Sequence, residues 1–86
     1  MPEISRFYGI VVQLYYGDHP PPHFHVRYAG QNAKFDIESL SVIDGQLPAR
    51  ALGLVVEWAT LHRQELREAF ARAANLEAPG KIAPLP

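Results

Sequence analysis

The segment His19-Pro20-Pro21-Pro22-His23-Phe24-His25 places three of the chain's four histidines within seven residues and stiffens the gap between the first two with three prolines. Imidazole is the side chain whose ordinary pKa lies nearest neutrality, so it can move protons or ligate metal at physiological pH. In an extended strand His23, His25 and Arg27 share one face. Two imidazoles and a guanidinium are what metal-independent cleavage of RNA asks for. One ring takes the proton from the 2′-hydroxyl, the other protonates the leaving 5′-oxygen, and the arginine holds the phosphate. The bland alternative is that an outward strand face is polar in any case, and histidine is one way to make it so. A third reading takes His19, His23 and His25, with Asp18, as weak candidates for zinc or another divalent cation. Zinc wants three or four protein ligands, and a His-x-His pair supplies two. No cofactor is expected on balance, and the residues dictate neither an enzyme nor a pure binding protein.

These residues must be positioned by strands. His23 to Ala29 alternates, with Phe24, Val26 and Tyr28 on one side and His23, His25 and Arg27 on the other, the period of a half-buried strand. A turn centred on Gly30-Gln31 would set Tyr28 opposite Ala33, Val26 opposite Phe35 and Phe24 opposite Ile37, apolar against apolar. The same register sets His25 opposite Asp36, His23 opposite Glu38 and Arg27 opposite Lys34. Upstream, Phe7 to Tyr16 is β-branched and aromatic and reads as a single strand. The prolines of the following loop cannot donate ladder hydrogen bonds, so they make a stiff connection. Ser41 to Ile43 reads as a short fourth strand.

From Pro48 to about Ala74 no proline interrupts the chain, and Ala51, Leu54, Val55, Trp58, Leu66, Ala69 and Ala73 gather on one helical face. His62 falls within that face as a core residue, with Glu65 as its partner. The fold class is therefore α+β: a three- to four-stranded antiparallel meander followed by one long helix packed on one sheet face. Residues 1–76 form a single domain. Residues 77–86 form an extended proline-rich tail that Ile82 and Leu85 could dock.

One helix shields one face of a small sheet, which leaves the other open. Phe7, Val11, Tyr15, His19, His23, His25 and Arg27 are expected to line that open, partner-binding surface. The composition suits a small folded domain, with 48% apolar and 20% charged residues in 86. A net charge of -1 argues against a broad electrostatic footprint for nucleic acid, although RNA stays among the candidate partners. With no cysteine there is no disulfide framework, and no leader or membrane-spanning run stands out, so a cytoplasmic setting without membrane contact is expected.

The blocks MPEISRFYGI, DHPPPHFHVRY, FDIE, LPARAL, EWATLHRQEL and KIAPL together resemble the small bacterial family called domain of unknown function 4160, over nearly the whole chain. Asp18 to His25 is the family's most distinctive stretch and is intact here. The resemblance carries no established activity. Genes of the family often lie beside that of another small domain, which implies a toxin-antitoxin-like pair. It adds a protein partner encoded nearby, with self-association as an alternative, to what an open sheet face already invites.

Overall fold

The computed structural model describes residues 2–86. Five strands, β1 (Glu3–Phe7), β2 (Ile10–Gln13), β3 (His23–Tyr28), β4 (Gln31–Asp36) and β5 (Val42–Gly45), pair with their sequence neighbours in one antiparallel sheet. Two helices follow, α1 (Ala49–Leu61) and α2 (Arg63–Ala74). The α+β class holds, while the expected three to four strands and single long helix become five strands and two helices.

The additional strand comes from a turn inside the run read as one element. Tyr8 and Gly9 both have positive φ, 50° and 79°, and fold Phe7 back onto Ile10. Such backbone matches the twist of the paired strands, but its usual sequence mark is Asn or Asp before the glycine. Tyrosine conceals it here. Ala29 and Gly30 repeat the geometry at 49° and 79°, so the next turn sits one residue earlier than expected. Its pairs are Tyr28 with Gln31, Val26 with Ala33 and Phe24 with Phe35. A slip of two leaves each side chain on its own face, so the division into inner and outer rows survives while every cross-strand partner changes. His25 lies opposite Lys34 rather than Asp36, His23 opposite Asp36 rather than Glu38, and Arg27 opposite Asn32 rather than Lys34.

The inner face carries Ile10, Val12, Leu14, Phe24, Val26, Phe35 and Ile37, all buried, and Trp58 of α1 lies over it. The indole meets Phe7 and Phe24 at ring-centroid distances of 5.4 and 6.1 Å. The tail completes this core. Ile82 and Leu85 are buried, Trp58 Nε1 donates to the Ala83 carbonyl at 2.8 Å, and Ile82 N donates to the Ile4 carbonyl at 2.7 Å.

The helix breaks at His62, whose φ of -123° and ψ of 23° end α1 and begin α2. Its Nδ1 does meet Glu65, 2.5 Å from Oε1. Beyond the break α2 runs across one end of the sheet. Arg67 donates to both carboxylate oxygens of Glu38, Arg63 donates to the Ile37 carbonyl, and the Ala73 carbonyl accepts from Gly17 N. Phe70, outside the face drawn on a straight helix, is thereby buried. Among the described residues no helix is long and apolar enough to cross a membrane.

The turn leaving β4 is held by Asp36, whose Oδ1 accepts from Glu38 N at 2.8 Å and Ser39 N at 2.9 Å. The hydrogen bond from Ser39 N, joined by that from Glu38 N, lowers the Asp36 pKa against the smaller opposing effect of burial. The folded protein then binds this proton less readily than the unfolded chain. The stabilisation is whole above the unfolded value of about 3.9 and disappears as pH falls through the folded pKa. Asp36→Ala should therefore cost about 1 kcal/mol at neutral pH in urea denaturation, the ordinary worth of such a side-chain cap. The gap from the parent protein should close on acidification through that range.

Candidate functional site

β2, β3 and β4 present three rows on the face away from Trp58. Arg6, Val11, Arg27 and Asn32 are paired in one row, and Gln13, His25, Lys34 and Asp44 in the next. Tyr15 and His23 lie at the sheet end crossed by α2. Two adjoining cavities of about 320 and 260 Å³ share Gln13, Arg27 and Asn32 and form one continuous trough along these rows. Arg6 is neutralised by Glu3, 2.7 Å away. Among the described residues neither Arg27 nor Lys34 has an ion-pair partner within 4.0 Å. The Gln13 Oε1 is buried without a hydrogen-bond donor. Tyr15 stacks on His25, with rings 4.0 Å apart and 9° from parallel, and keeps 38% of its surface exposed.

At one end of the trough the imidazoles converge on a carboxylate. Asp18 Oδ2 stands 2.7 Å from His23 Nε2 and 3.4 Å from His25 Nε2. The other ring nitrogen of His23, Nδ1, donates to the Pro21 carbonyl at 2.7 Å. His23 thus has an oxygen acceptor at each nitrogen, a set of contacts that asks for a proton on both or for another cation between Nε2 and Asp18. Its ring is only 3% exposed, roofed by Phe70 at 5.4 Å. Burial raises the Asp18 pKa, but hydrogen bonds from His25 and the His19 backbone, with the charge and hydrogen bond of His23, outweigh it and leave the pKa lowered. For His25 burial dominates and lowers the pKa, although Asp18 pulls the other way.

The structure divides the expected surface residues. Val11, Tyr15, His25 and Arg27 lie along the trough. Phe7 does not: the hairpin at Tyr8-Gly9 turns it inward, where it is buried against Trp58. His23 keeps the outward parity of its strand, but α2 seals it. His19 is exposed on the proline loop and lines a separate cavity of about 230 Å³ with Asp18, Pro21, His23, Lys34 and Ile43. Of the three residues cast for RNA cleavage, His25 and Arg27 reach the trough and His23 is shut from it. Gln13 and Lys34, absent from the expected surface residues although their parity puts them on this face, join it. Lys34 would have been found beside His25 had the turn been set at Ala29-Gly30.

Neither a curated protein nor a solved structure matches the chain. A family model described as domain of unknown function (DUF4160) matches residues 9–71, from the first hairpin turn into α2 and so across the whole Asp18 to His25 segment, and the chain belongs to that family.

Proposed function

We propose that this protein is an interaction module, one component of a bacterial, cytoplasmic, toxin-antitoxin-like gene pair, and that it takes its protein partner in the trough across β2, β3 and β4. The observation that carries the reading is the sheet face left uncovered by the helices, where a buried Gln13 Oε1 and an Arg27 without partners among the described residues adjoin the exposed Tyr15–His25 stack. A buried acceptor without a donor costs about 1–3 kcal/mol, a cost that marks this face as unfinished in the isolated chain. Tyrosine and arginine are the side chains that most often dominate interface energy, and free cations select acidic groups opposite. The ribonuclease alternative is less well supported, because its second histidine has no path to a substrate in the trough.

The test is to express the gene alone and with its genomic neighbour, then measure binding of the two purified products. Growth arrest relieved by the neighbour, or a stable complex without arrest, supports the pair. Tyr15→Ala and Arg27→Glu should each weaken the complex by roughly 30-fold, the effect of about 2 kcal/mol at an interface hot spot. Hydrogen exchange that protects only the helices and residues 77–86 in the complex would rule the trough out.

A further inference from the structure

We infer that Asp18 Oδ2, His23 Nε2 and His25 Nε2 form a three-ligand site for a zinc-type divalent cation at the end of the partner trough, which shares His25 with it but does not rest on the function proposed for it. One ligand atom from each residue lies within 4.8 Å of the other two. A tetrahedral ion bonded at about 2.0–2.1 Å needs its ligand atoms about 3.3 Å apart. The His25–Asp18 separation is 3.4 Å, and the His23–Asp18 contact of 2.7 Å needs to open by about 0.6 Å to reach that spacing. The pieces are held from different elements, the carboxylate by the loop after β2 and both imidazoles by β3. His-x-His on a strand directs both rings to one side.

The surroundings are built to accept a metal cation in place of the proton between His23 and Asp18. His23 donates Nδ1–H to the Pro21 carbonyl. This is the outer contact that metal-bound histidines ordinarily make, and it leaves Nε2 as the ligating atom. That nitrogen then faces the Asp18 oxygen, and the two lone pairs need either a proton or a metal ion between them. Phe70 over His23 and Tyr15 over His25 keep both rings in place. Three nitrogen and oxygen ligands suit zinc and its borderline neighbours nickel, copper and cobalt, and leave a fourth position for water or a ligand. The cavity of about 230 Å³ beside Asp18 and His23 has room for it. Lys34 lines that cavity and opposes a bare cation, which suits an ion that carries an anionic fourth ligand.

Full-length protein stripped with chelator and titrated with Zn²⁺ alone should bind one ion per chain, by calorimetry and by native mass spectrometry. Zinc should also raise the thermal midpoint. Removing a ligand should cost no less than the roughly 10- to 100-fold typical of a supporting partner, so Asp18→Asn and His25→Gln should each weaken binding by at least that factor. Both lie at the accessible side of the cluster, and circular dichroism melts without zinc establish that they fold. His19→Gln should bind as the parent does. The inference is overturned if the parent shows no saturable one-to-one binding, if Asp18→Asn and His25→Gln bind as well as the parent, or if His19→Gln loses as much as His25→Gln. The last result would assign the ion to loop imidazoles.

Discussion

Trp58→Ala should remove about 3–5 kcal/mol of stability, the usual cost of deleting a large buried aromatic. A domain of 86 residues has only about 4–13 kcal/mol in all, so a measurable unfolded fraction is expected without denaturant. The indole is fully buried, spans from Phe7 to Phe24, and donates its N–H to the Ala83 carbonyl. Its loss opens a cavity beneath the sheet and also unties residues 82–85. Since this is the chain's only tryptophan, unfolding of the variant is followed by circular dichroism rather than intrinsic fluorescence. Trp58→Phe should keep most of the packing but release the tail, read as faster proteolysis after Pro79 with a smaller loss of stability. Equal resistance of parent and Trp58→Phe would mean that the tail is held without the indole.

Gly45→Ala should destabilise by about 2–4 kcal/mol, combining the strain of a left-handed alanine with a displaced hydrogen bond. Gly45 has φ +78°, and a Cβ there would stand 2.1 Å from the Asn32 carbonyl oxygen and 3.0 Å from Ala33 Cα. These are backbone atoms of β4, fixed between β3 and β5, and the same carbonyl accepts from Gln46 N. The chain cannot make room without prying β5 off the sheet. Gly53→Ala is the matched comparison. Gly53 lies inside α1 with nothing within 4 Å of its missing Cβ, so alanine there should stabilise by about 0.5–1 kcal/mol. Urea denaturation of both variants reads the opposite signs. A Gly45→Ala protein as stable as its parent would show that β5 contributes nothing to the sheet's integrity.

The inner face of the sheet was legible because period-two alternation survives any even slip of register, and Phe24, Val26, Phe35 and Ile37 are buried as their spacing implies. The pairings were not legible, since Tyr8-Gly9 and Ala29-Gly30 adopt primed turns without the asparagine or aspartate that usually advertises them. The helix shows the same limit at longer range. Ala51, Val55, Trp58, Leu66, Ala69 and Ala73 are buried as a straight projection implies, yet the break at His62 adds Phe70, which decides the fate of His23. A pattern of side-chain types reports faces. It does not report that a second helix will cross the end of the sheet, and the expectation that His23 meets solvent failed for that reason. The meeting of Asp18 with both imidazoles depends on how the proline loop folds back, which no periodicity encodes.

Every strand in the meander pairs with its sequence neighbour, so the strand pairings themselves are local in the chain. The helices and the tail supply the long-range links, and the longest is the tail's: Lys81 Nζ bonds to the Glu3 carbonyl across a separation of 78 residues, beside the Ile82 link to Ile4. On the ribosome, strands and helices are therefore complete before the wall of the Trp58 pocket exists. A nascent chain halted after α2 would expose that apolar pocket to chaperones and neighbouring chains, and stability would rise in one late step as residues 82–85 emerge.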